Sequence, residues 1–156
     1  MKRMNRDTLK RLKLTDQLSA DPLKLFSLIE KSVLAYILIG LVFIIMRKTG
    51  LIEASLGSSI ACGTIGYLVI ATKLIYHDEA LSELRTHANI DPDKLKIAML
   101  AIDYSEKKDG VYYPNKKTLS IFYFCKSEII TYKTNDETAI FTGPHNRLLR
   151  LSNLIA

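Results

Sequence analysis

Residues 32–46 read SVLAYILIGLVFIIM and residues 54–72 read ASLGSSIACGTIGYLVIAT. Neither stretch holds a charge. Lys31 and the pair Arg47 and Lys48 bound the first, and Glu53 and Lys73 bound the second. Fifteen residues at a rise of ~1.5 Å cover about 22 Å, short of a hydrocarbon core roughly 30 Å thick. Lys31 and Arg47 extend the span by laying their stems along apolar surface, and Leu25, Phe26, Leu28 and Ile29 continue the apolar character on the N-terminal side. Asp21 as N-cap and Pro22 as first helical residue predict a helix over 22–46. The second stretch is long enough to span with little adjustment. A membrane helical hairpin is therefore expected, with spans at about 32–46 and 54–72.

The N-terminal half of the second stretch is small and weakly polar. Gly57 and Ala61, Ser59 and Gly63, and Cys62 and Gly66 each recur at four residues. Lipid tails give no hydrophobic drive for helix association, so close backbone approach at small residues is one of the few sources of packing energy. Gly57, Ser59, Ala61, Gly63 and Gly66 are expected to form a helix interface, within the hairpin against Gly40 and Ala35 or between protomers.

The connection 47–53 contains Gly50 and suits a tight turn. Eight basic residues precede the first span (Lys2, Arg3, Arg6, Lys10, Arg11, Lys13, Lys24 and Lys31) against two in the turn. The positive-inside rule then puts both termini in the cytoplasm. Two buried core helices of a soluble protein are disfavoured, because 156 residues cannot easily cover two such uniformly apolar helices. A cleaved signal peptide is disfavoured too. The basic region runs as far as Lys31, and Ser59 stands where a lipoprotein cleavage site wants an aliphatic residue.

The chain divides into a basic N-terminal segment (1–21), the hairpin (22–76) and a cytoplasmic α+β domain (77–156). The net charge is +6 and the mean hydropathy +0.10, so the clustering of charge matters more than the totals. In the basic segment Met4, Leu9, Leu12, Leu14 and Leu18 do not share one helical face, which argues against an amphipathic anchor. Lys2, Arg3, Arg6, Lys10, Arg11, Lys13 and Lys31 read as topology determinants in contact with anionic lipid. Nucleic acid is not an expected partner, because this tail has no aromatic residue to stack bases. Cys62 and Cys125 lie in such different settings that no disulfide is expected.

Beyond the hairpin, residues 73–88 read as a helix that leaves the membrane with Tyr76 at headgroup level. Glu79, Glu83 and His87 would share its face, an arrangement that an exposed helix explains without a metal. Asp91 and Pro92 cap a helix over 92–106, with Leu95, Ala98, Met99 and Ile102 as its apolar stripe. Strands are expected at 111–113, 118–125, 128–133 and 138–142, forming a three- or four-stranded antiparallel sheet. The run TLSIFYFC (118–125) is apolar on both faces and is expected to be covered on both. Residues 146–155 close the chain as a helix with Leu148, Leu151 and Ile155 on one face.

His77, His87 and His145 lack a nucleophile or carboxylate at diagnostic spacing, and no phosphate loop, paired-cysteine motif or serine elbow occurs in the sequence. No enzyme activity, cofactor or metal is expected. The pattern points to a bacterial inner-membrane protein that acts through protein contacts. It would work as a homo-oligomer, or as a small subunit or regulator of a larger membrane assembly such as a secretion, conjugation or exclusion system. A holin-like effector that oligomerises through the second helix, or a membrane-tethered sensor of a small ligand, are the alternatives.

Overall fold

The computed structural model describes residues 9–53, 55–87, 90–135 and 138–155. Lys2, Arg3 and Arg6 lie outside them. Two elements dominate the first half: α2 (Leu23–Lys48) and α3 (Leu56–Lys73), both long and apolar enough to cross a membrane. They pack side by side as a helical hairpin. Ala35, Ile39, Phe43 and Met46 are among the less exposed residues of α2, spaced as one face of a helix requires, and Ile39 and Phe43 lie beside Gly63 of α3. A Cβ added to Gly63 of α3 would come within 3.1 Å of Ile39 Cγ2, so the helices meet at that glycine. The turn between them closes as expected. Gly50 has φ 73°, its N–H donates to Arg47 O, and Leu51 N–H donates to Met46 O, the paired bonds of a Schellman stop.

The remainder builds one six-stranded antiparallel sheet among the described residues: β1 (Leu9–Arg11), β2 (Leu81–His87), β3 (Tyr104–Lys108), β4 (Val111–Pro114), β5 (Ile130–Thr134) and β6 (Thr138–Pro144), in the order β1-β2-β6-β5-β4-β3. A short α1 (Leu14–Ala20) joins β1 to α2, while α4 (Pro92–Ala101) and α5 (His145–Ile155) pack against each other. Leu84, Tyr104, Tyr112, Ile130, Ala139 and Phe141 from the strands close on Leu95 and Met99 from α4, Ile102 at its end, and Leu148 and Leu151 from α5. Burial of each such aliphatic or aromatic side chain stabilises by about 1.5–3 kcal/mol, so this cluster is the main source of the domain's stability.

Several expectations are corrected. Six strands replace three or four. Residues 73–88 are not one helix: α3 ends in a π-helical turn, Leu74–Asp78, and the chain then enters β2. The helix gives way because β2 pairs with β6 along its whole length, from Leu81 opposite Pro144 to His87 opposite Thr138, which buries Ser82 and Leu84. Glu83 and His87 therefore lie on a strand, and the helical face shared with Glu79 does not exist. α4 stops at Ala101, where Asp103 takes a left-handed φ of 65°, so that 104–108 can pair with β4. Its start is as read, with the Asp91 carboxylate accepting from Asp93 N–H at 3.1 Å. Residues 118–125 are not a strand and are not covered on both sides; Ile121 and Phe122 are exposed. Asp21 does not cap α2, since its carboxylate is bonded elsewhere. Finally, residues 9–11 of the basic segment form an edge strand on β2.

The β3–β4 turn depends on a glycine. Gly110 has φ 67°, and a Cβ there would lie 2.8 Å from the Tyr132 carbonyl oxygen, while its own carbonyl accepts from Tyr132 N–H. Gly110→Ala is expected to destabilise the protein by about 1–3 kcal/mol, the usual cost of strained backbone, read as a fall in melting temperature. An unchanged melting temperature would contradict this account of the turn.

Candidate functional site at the hairpin junction

Along the first turns of α2, Lys24, Ser27, Glu30 and Lys31 follow Asp21 at three- and four-residue steps, a polar stripe on an otherwise apolar helix. The stripe faces residues 118–128. Ser27 Oγ donates to Leu119 O, and Lys31 Nζ donates to Thr118 O at 3.0 Å. The two oxygens of Glu30 accept from Ser120 Oγ at 2.5 Å and from Ile121 N–H at 2.9 Å. Tyr123 Oη reaches Leu23 O at 3.3 Å. Asp21 Oδ2 accepts from both the N–H and the hydroxyl of Ser127, at 2.8 and 2.7 Å. A loop without ladder partners thus finds four of its backbone partners on side chains roughly a hundred residues earlier in the chain.

Glu128, 1% exposed, holds the loop from inside. Its Oε1 accepts from Thr118 and Leu119 N–H and from Thr118 Oγ1, and its Oε2 from Cys125 N–H. A buried carboxylate is tolerable when several donors replace its water, as here. Burial pushes the Cys125 thiol up to about 12, with Asp21 and Glu128 acting in the same direction, and the side chain packs in a small cluster with Ile75 and Leu119.

Lys24 is fully buried. Its Nζ donates to Gln17 Oε1 at 3.2 Å and to Glu79 O at 2.7 Å, and lies 5.6 Å from the centre of the Tyr76 ring. Gln17 also accepts from Leu81 N–H and donates to Leu12 O. Lys24 therefore ties α1, α2, the end of α3 and the start of β2 together at one point. Burial raises the Glu79 carboxyl above the usual carboxylate range, against the pull of Arg147 and Lys24. Asp21 Oδ1 and Tyr76 Oη are buried with no hydrogen-bond partner among the described residues.

The residues singled out in the sequence are distributed over several places. Ser59 and Gly63 are half-buried, with Gly63 against Ile39 of α2, whereas Gly57, Ala61 and Gly66 are exposed at different positions around α3, so the five do not share one helical face. Lys10 and Arg11 sit in β1 opposite Glu83 and Ser82. With Lys13, Asp16 and Arg85 they line a shallow depression of about 370 Å³. Lys31 holds the loop. His77 contacts Asp78 at 2.9 Å, and His145 contacts Ser82 Oγ at 3.2 Å, its pKa held below the usual imidazole range by burial and by Arg11. The junction residues Asp21, Gln17, Lys24, Ser27, Glu30 and Glu128 were missed. Their signal was the polar stripe on α2, which charge counting alone absorbed into topology.

No known protein family, curated protein or solved structure matches this chain.

Lys24→Met would remove the central donor, take one of its two donors from Gln17 Oε1 and leave the Glu79 carbonyl without its side-chain partner. A loss of about 2–4 kcal/mol is expected, the scale of deleting one member of a buried charged network. Thermal unfolding in mild detergent, with exposed Lys133→Ala as the reference, reads it. Equal melting of the two variants would show that the junction contributes no stability.

Proposed function

We propose that the chain is a two-span protein of the bacterial inner membrane, with both termini cytoplasmic, that works without catalysis through contacts with other membrane proteins. The observation that carries this reading is the uncovered surface of the hairpin. Only 6% of the most apolar window of α2 and 11% of that of α3 is buried, where a core helix of a soluble domain would be mostly buried. Within the uncharged stretches twelve large apolar side chains face outward: Val33, Leu34, Tyr36, Ile37, Leu38, Leu41, Val42, Ile44 and Ile45 on α2, and Ile65, Val69 and Ile70 on α3. At roughly 1.5–3 kcal/mol each, leaving them in water would forgo more free energy than the ~5–15 kcal/mol by which a domain is usually stable. A bilayer removes that cost.

Two further points support the topology. The start of α2 and the end of α3 both attach to the sheet domain, so N-terminal strand and C-terminal domain share one side. Basic residues outnumber those of the 47–53 turn on that side. Contact with partners is supported by Cys62 and Gly66, both exposed and one helical turn apart on α3, where a second helix could approach closely.

In native membranes the protein should resist alkaline extraction, and mild oxidation should link Cys62 to Cys62 between copies. Gly66→Leu should abolish the link while leaving insertion intact. A reporter after Ala156 should be active only in its cytoplasmic form. Extraction into the soluble fraction or an active periplasmic reporter would sink the membrane reading; no link together with a monomer in gentle detergent would sink the self-association.

A further inference from the structure

The loop that straps α2 has an outer surface as well as an inner one. Ile121 is 68% exposed, Phe122 74% and Phe124 40%, in a segment whose backbone is anchored on Glu30 and Ser27. A hydrocarbon core of about 30 Å takes about 20 helical residues, and 20 counted back from Met46 end at Ser27. The level of Ser27 and Glu30 is therefore the boundary between acyl chains and headgroups. A serine and a glutamate facing lipid there would be costly, and irregular backbone at that depth is tolerated only where protein satisfies it. The loop meets both conditions: it covers the two polar side chains, and they satisfy its amide and carbonyl groups.

The composition of the loop fits the same level. Lys116, Lys117 and Lys126 flank the apolar tip and are exposed, with Lys117 Nζ 4.6 Å from the centre of the Phe124 ring. Apolar and aromatic tips between lysines suit an interface with acyl chains on one side and anionic phosphates on the other. Leu23, Leu25, Phe26 and Ile29, exposed on α2, supply apolar surface at and just beyond the same turns.

We propose that residues 120–124 are an interfacial membrane anchor, with Ile121 and Phe122 at the headgroup–acyl boundary of the leaflet that α2 enters and the flanking lysines against anionic headgroups. The anchor completes a span whose uncharged stretch is too short on α2 alone. This inference rests on the reading that the hairpin crosses a membrane, and the two are separable by experiment.

The chain contains no tryptophan, so a single introduced one reports its own depth. Phe122→Trp and Ile121→Trp, at exposed positions, and Leu38→Trp, in the middle of α2, are compared as full-length protein in vesicles of phosphatidylcholine and phosphatidylglycerol with brominated acyl chains. Leu38→Trp should be quenched most by bromines deep in the chain. The two loop variants should be quenched roughly twofold more by bromines near the carbonyl end than by deep ones, the pattern of a shallow interfacial group. Loop tryptophans quenched by aqueous iodide and not by either lipid, with Leu38→Trp still quenched, would overturn the anchor and leave the hairpin standing. Failure of lipid quenching at all three positions would overturn both.

Discussion

The backbone of residues 118–128 has no strand to pair with, and the protein exists in this form because side chains of the α1–α2 corner and of α2, together with the loop's own Glu128, supply what a sheet would have supplied. Asp21, Ser27, Glu30, Lys31 and Glu128 together engage the N–H of Thr118, Leu119, Ile121, Cys125 and Ser127 and the carbonyls of Thr118 and Leu119. Buried backbone groups left without such partners would cost about 1–3 kcal/mol each. The loop and the helix therefore stand or fall together: the helix needs its polar face covered, and the loop needs acceptors and donors.

The rest of the architecture follows from that mutual requirement. With α2 fixed against the loop, β5 continues directly from its end, and β6 brings the chain back to pair with β2, which itself emerges from α3 through the Leu74–Asp78 turn. Lys24 sits where these paths converge. The hairpin is thus not a tether joined to a separate domain by a free linker. Both its legs are bonded to the sheet unit, which would transmit a displacement of one to the other.

Much of this was legible in the sequence where the signal is local. The apolar run, the Asp91-Pro92 cap, the Gly50 turn and the final helix depend on residues close together in the chain, and each was placed to within a few residues. The failures are non-local. Residues 81–87 pair with a strand more than fifty residues later, and nothing in LSELRTH distinguishes that from a polar helix. TLSIFYFC has strand composition, yet it is held as a loop by Ser27, Glu30 and Glu128, a tertiary override of propensity. The three-residue β1 is too short to carry a period at all. At the junction, residue types were visible but their roles were not, because a lysine before an apolar run reads the same whether it meets lipid or fills a buried site.

Hydrogen exchange of the full chain in lipid nanodiscs tests the central claim, that the loop is locked to α2 by specific hydrogen bonds, most directly. The amides of Leu119, Ile121 and Ser127, irregular though their backbone is, should be protected to a degree approaching that of Phe141 in β6, and Glu30→Ala should release Ile121 first. Exchange of those three amides at the rate of an unstructured peptide, while β6 stays protected, would contradict the account.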